Sequence, residues 1–353
     1  MAYGTIDKSS SLMNTQIWTG TGSAQSITGV GFQPDFSYIK CRSGGEYWNL
    51  TDSVRGVTQN LSTNVTTAQA TEAQRITAFD SDGFSLGTND QTNLSAGTFA
   101  SWNWKGGTTS GITAGTQTIT PSAYSINTTS KFGVYQYTGN DTAGATIAHG
   151  LGASPSVIIV KRLDGAGSWM FYHRNAADTG SAAGTKTAYV ESTGAFGSGT
   201  AVWNSVDQGS TYVTLGDDAD INGSGYTFIM YVFCDVKGFC KGGRYIGNGE
   251  TTAGGTFIYT GFKPSFVLIK NLDATGAWNM NNNKVLGYNN KNYILNPDAA
   301  GTENTSYISD IYANGFKPNN SADAEYNASG NKYVYLAVGQ SLIGSSGVCA
   351  TAR

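Results

Sequence analysis

The chain has 353 residues and a net charge of −3; only 13% of its residues are charged, while 12% are aromatic and 47 are glycine. That is about half the usual charged fraction, with no run of lysines or arginines, which argues against a phosphate-tracking nucleic-acid surface. The rings argue against disorder, and no apolar stretch approaches the roughly 20 residues of a membrane span or forms a signal-peptide core near the start.

In chain order, a short N-terminal arm (1–16) precedes a first unit, 17–108, that opens on Trp18-Thr19-Gly20. The run PDFSYIK then starts at Pro34, and Trp48 stands fourteen residues beyond that proline. Residues 68–78 (AQATEAQRITA) form the best helical candidate, and Asp80-Ser81-Asp82-Gly83 follows as a turn signal. Asn93-Leu94-Ser95, with Gly97 and Phe99 after it, reads as a hairpin tip leading into an alternating aromatic strand over 99–104.

A Gly/Ser/Thr-rich stretch, 109–131, reads as a linker or an arm that adds a strand. The second unit, 132–241, repeats the plan: Tyr137-Thr138-Gly139, then PSVIIVK from Pro155, Trp169, and Asn222-Gly223-Ser224 before Phe228. The third, 242–342, does so again with Tyr245-Ile246-Gly247, PSFVLIK from Pro264, Trp278 and Asn327-Ala328-Ser329 before Tyr333; a tail, 343–353, ends the chain. Proline lacks a backbone donor and suits a strand start or an edge. The β-branched and aromatic runs after it suit strands covered on both faces.

The expectation is therefore an all-β protein of three tandem homologous antiparallel β-sandwich (jelly-roll-like) units. Trp48, Trp169 and Trp278, with Pro34, Pro155 and Pro264, would plug equivalent positions in three cores, and the second and third units would pack together across their short junction. The proline-to-asparagine separations are 59, 67 and 63 residues, so the middle of each unit absorbs the insertions.

Asp218-Ala219-Asp220-Ile221-Asn222-Gly223 has the opening of a calcium loop, but its twelfth position is Ile229 rather than a bidentate Glu. Asp218, Asp220 and Asn222 therefore read first as a turn, with calcium as the alternative. Asp80 and Asp82 could form a glycosidase carboxylate pair, yet neither other unit carries a counterpart, and a turn is favoured. His173 lacks a nucleophile-elbow serine. Cys41, Cys234, Cys240 and Cys349 are expected as free thiols, although a hairpin could bring Cys234 and Cys240 together, and no zinc spacing exists. No cofactor is implied. The loop Tyr288, Asn289, Asn290, Lys291, Asn292, Tyr293 has the most paratope-like chemistry, with rings to stack on sugars and amides to bond their hydroxyls.

Several of these strings carry a resemblance. They are TGVGFQPD from Thr28, the stretch from Ile147 through Pro155 to Asp164 with Gly167-Ser168-Trp169 and Tyr172-His173, and YTGFKP from Tyr259 with Leu268-Ile269-Lys270-Asn271. With Asp80 to Phe84 and the terminal ATAR, the chain resembles an uncharacterised domain family of tailed, mostly marine and aquatic bacteriophages, labelled tail-fibre or virion structural proteins.

The resemblance implies a non-enzymatic virion component made in the host cytoplasm and carried on the virion surface. A tail-fibre or tail-appendage knob is the leading expectation, with other virion proteins and copies of itself as partners and a host-surface glycan as candidate ligand. The alternatives are a capsid decoration or head-fibre protein and, from another class, a polysaccharide depolymerase. No heptads are present to build a long shaft.

Overall fold

The computed structural model describes residues 4–112, 117–250, 254–285, 289, 293–305, 308–319, 323–343 and 349–351. The proline-marked runs form strands, Phe36–Cys41, Pro155–Arg162 and Phe262–Asn271. Each pairs on one side with a short strand just after the tryptophan: Asn49–Asp52, Met170–His173 and Asn279–Asn282. On its other side lies the closing strand of its unit, Thr98–Trp104, Thr227–Cys234 or Lys332–Ser341. The closing strand in turn pairs with the opening strand, Met13–Thr19, Phe132–Thr138 or Cys240–Ile246.

The order opening–closing–proline–tryptophan strand thus occurs three times, antiparallel throughout. Pro155 and Pro264 sit where the pairing register slips, between Pro155 and Val157 and between Pro264 and Phe266. A residue with no N–H is tolerated at such an irregularity.

Of the two readings of 109–131, the arm that adds a strand holds: Ala123–Asn127 forms a strand against Phe132–Thr138 and widens the second sheet. One expectation about local structure changes. No helix forms over 68–78: Ala70–Thr71 and Ile76–Asp80 are strands. Among those residues only Ile76 is a large apolar side chain, so no helical face exists, and Ile76 is buried opposite Leu86 instead.

A smaller sheet lies outside each main sheet. It comprises Gln25–Thr28, Gly83–Leu86 and Ile76–Asp80 in the first unit, Ala145–Ala148 with Tyr212–Leu215 in the second, and Ile258–Tyr259, Gly315–Asn319 and Ile308–Tyr312 in the third. Between the layers lie three separate outer cores. The recurring sequence marks explain how each is pinned. Opening and closing rings stack face to face, Trp18 on Phe99, Tyr137 on Phe228 and Tyr245 on Tyr333, with centroids 5.3, 5.2 and 4.9 Å apart. The polar tips of Trp18, Tyr137 and Tyr245 donate to the carbonyls of Thr92, Ile221 and Tyr326.

The next residue is always the marker asparagine, fully buried, whose side-chain oxygen accepts the N–H of Thr21, Asn140 or Asn248 just past the opening turn. That turn must be glycine: a Cβ on Gly20, Gly139 or Gly247 would lie 2.1, 2.4 or 2.3 Å from a backbone oxygen.

The inner faces of the three main sheets share one core. Phe36, Trp104, Phe132, Tyr231, Phe266 and Leu336 belong to a single cluster that also contains Trp48, Trp169 and Trp278. A void of about 50 Å³ remains at its centre, walled by side chains of all three units. The expectation of one tryptophan plug per separate core is therefore corrected; the second and third units pack together as expected, and the first packs on both.

Each tryptophan instead anchors a seam. Trp48 Nε1 donates to Asn296 and Ala299 of the third unit at 2.9 and 3.0 Å. Trp169 donates to Ser62 and Val65 of the first at 3.1 and 3.2 Å, and Trp278 to Tyr189 and Ser192 of the second at 3.0 and 3.2 Å. The same three loops take a buried lysine of the neighbouring unit at the next carbonyl: Lys40 to Ala300, Lys161 to Thr66 and Lys270 to Thr193. On their own side these loops hold the tryptophan backbone N–H with Asn64, Glu191 and Asp298. First grips second, second grips third and third grips first, which is a head-to-tail interface closed into a ring within one chain.

Candidate functional site

A concavity of about 690 Å³ lies on the seam between the second and third units. Its floor is Tyr172, fully buried on the strand after Trp169; its hydroxyl accepts the Gln208 N–H at 3.3 Å, and burial pushes its pKa up to about 12. One wall is the loop that follows that strand, bearing Arg174, Asn175 and Asp178; the opposite wall is the third unit's opening strand with Arg244 and Ile246. Asp207 closes one end, with one carboxylate oxygen accepting the Ala183 N–H at 2.7 Å.

The wall loop exists because the second unit is longer here. From tryptophan to the first carbonyl of the gripping loop runs 20 residues in the second unit, against 14 in the first and 18 in the third. The corresponding concavity on the first–second seam is about 360 Å³ and is lined by Gln59, Gln69 and Gln136.

The groove is electrically balanced. Arg244 bonds Asp178 at 2.7 Å and Lys332 bonds the same carboxylate at 2.9 Å; these cations hold the Asp178 carboxyl down at about 2. Arg174 is paired with Asp235. Behind the wall, His173 is buried and accepts the Asn175 N–H at Nδ1. Its Nε2 must then carry the proton and donate to the Tyr335 carbonyl of the third unit at 3.0 Å. Burial first, then Arg174, lowers its pKa to about 4, so this ring is a neutral cross-seam strut.

The residues singled out from sequence fall mostly elsewhere. Asp218 caps the short helix Ala219–Asn222, accepting from the Asp220 N–H. Asp220 accepts the Ser168 N–H, and Asn222 is the marker asparagine of its unit, with donors and acceptor all engaged. Each has a task in the turn, and among the described residues no group of three or more His, Cys, Asp or Glu could hold a metal ion. Asp82 accepts the Gly29 and Gly31 N–H groups and Asp80 accepts from Ser85, which makes them turn anchors.

Cys41, Cys234 and Cys240 are buried and Cys349 is exposed, all unbonded. In the expected host-contact loop, Tyr288, Asn290 and Asn292 lie outside the described residues. Asn289 exchanges two bonds with the Ile311 backbone, and half-buried Tyr293 packs on the shared core. The groove residues Arg174, Asn175, Asp178, Asp207 and Arg244 were not found from sequence; their one trace was the longest proline-to-asparagine interval, in the second unit.

No curated protein and no solved structure matches this chain. A family model matches residues 8–341, nearly the whole length. The chain belongs to that family, described as a domain of unknown function (DUF7483).

Proposed function

We propose that this chain is a non-enzymatic structural protein of a phage particle, carried on the virion surface as a compact tail-appendage knob that contacts the host envelope. The ring is the observation that carries the reading. Three sequence-equivalent units are clamped by the same tryptophan and lysine bonds into one body, while the insertions fall in loops outside the clamps. A rigid frame with variable surface loops suits display. The phage resemblance of the sequence gives the setting, and other virion proteins and further copies of the chain are the partners proposed. The aspartates that might have formed a hydrolytic pair are spent on backbone N–H groups and a serine, which favours display over depolymerisation.

The test is quantitative mass spectrometry of purified particles, followed by labelled-antibody electron microscopy. A few copies at the tail tip support the proposal. Tens to hundreds of copies on the head would transfer it to capsid decoration, and absence from particles would overturn it. Release of reducing ends from host polysaccharide would replace it with the depolymerase reading.

A further inference from the structure

We infer that the groove on the second–third seam is a binding site for a short neutral oligosaccharide. Its volume, about 690 Å³, accommodates roughly two or three sugar rings and lies within the range of small-ligand sites. Charge selects the class. Arg174 and Arg244 are offset by Asp178 and Asp207 on the same lining, so the groove offers neither the cationic field a phosphate or polyuronate needs nor the anionic one a polyamine needs. What it offers is donors and acceptors side by side, the pattern sugar hydroxyls require because each both gives and accepts a hydrogen bond.

Two groups are placed to use it. The exposed Asn175 amide makes no hydrogen bond among the described residues. Asp207 binds Ala183 through Oδ1 and keeps Oδ2 for the groove. Ile246, 56% exposed on the rim, supplies an apolar patch for the C–H face of a ring. The first–second seam isolates the cause: without the wall loop its concavity is only about 360 Å³. The longest of the three intervals, 20 residues against 18 and 14, brings unspent polar groups to this seam, as a surface loop that carries function does.

The inference gives the host contact of the display reading a place and a ligand class, and rests on that reading for its biological setting. The test is an array of neutral and acidic oligosaccharides probed with the whole chain, then calorimetry with the strongest neutral glycan on wild type, Asn175→Ala and Asp207→Asn. Neutral glycans should be retained, and each variant should weaken binding about tenfold, the loss of one hydrogen bond, with the melting temperature of Asn175→Ala unchanged. Retention of acidic glycans alone, no retention, or full affinity in Asn175→Ala and Asp207→Asn would each overturn it. Particles that contain a chain blind to sugars would sink the groove alone; a sugar-binding chain absent from particles would sink the virion reading alone.

Discussion

Trp278 donates its indole N–H to the carbonyls of Tyr189 and Ser192 in the preceding unit, while Asp298 of its own unit accepts its backbone N–H at 3.1 Å. One side chain therefore fixes both the local loop and the seam. The same arrangement at Trp48 and Trp169 makes the three units a single cooperative body, because their inner faces share one core.

Trp169→Ala should cost about 3–5 kcal/mol, and Trp169→Phe about 1–3 kcal/mol by leaving the Ser62 and Val65 carbonyls unbonded. Urea unfolding followed by near-UV and far-UV circular dichroism should shift as one coincident transition. A variant that unfolds in two separated steps would contradict the shared core.

Asp298→Asn should stabilise the protein near neutral pH. Burial raises the Asp298 pKa to about 6, above its unfolded value. The folded state then holds an extra proton between about pH 4 and 6, and the ionised form is penalised above that window. Asparagine keeps the acceptor for Trp278, as Asn64 does for Trp48. The variant should gain on the order of 1–3 kcal/mol at pH 7 and nothing at pH 4. A gain that persists at pH 4 would point to another cause.

His173 works in the opposite sense. Its folded pKa of about 4 lies below the unfolded value, so the unfolded chain binds more protons between about pH 4 and 6.5, and stability falls as pH drops through that interval. His173→Gln should remove this part of the acid sensitivity, read as a smaller loss of melting temperature between pH 7 and 4.5. Equal losses in both proteins would show that His173 is not a seat of the effect.

Asp52 lies fully buried between Arg55, 2.6 Å away, and the Tyr231 hydroxyl of the second unit, 2.8 Å away. Asp52→Ala strands the Arg55 charge in the interior and should cost about 3–5 kcal/mol. Asp52→Ala with Arg55→Met should recover part of that loss in equilibrium denaturation. No recovery would mean that the stranded charge is not the cause.

If Asn222 is a turn clamp rather than a calcium ligand, a chelator leaves the melting temperature unchanged, whereas Asn222→Ala and Asn93→Ala each lower stability by about 1–3 kcal/mol through unsatisfied buried groups. A chelator-sensitive melting temperature in the wild type would reverse the assignment.

Much of the scaffold was legible because the repeated residues do the same local work three times. The aromatic before the opening glycine meets the ring two or more strands later in the sequence, and the marker asparagine clamps the turn beside it; spacing alone exposes such pairs. The proline runs read as doubly covered strands, and they are. The tryptophans were recognised as buried, but what buries them was hidden, since a core built from three distant stretches leaves no local period. The lysine at the end of each run, Lys40, Lys161 or Lys270, shares its charge between carbonyls of its own unit and one of a neighbouring unit, which no spacing reveals. The groove was missed for the same reason: its walls come from a loop and a strand some 70 residues apart, and only the extra length of the second unit hinted at it.

Closing the chain on itself changes how it meets mechanical load. In an open row of three, an end unit can be peeled away by parting a single junction. Here every unit is held at two, so a pull on any one must part a pair of clamps and expose the common interior at once. Tension applied through one surface loop is thereby spread over the whole body.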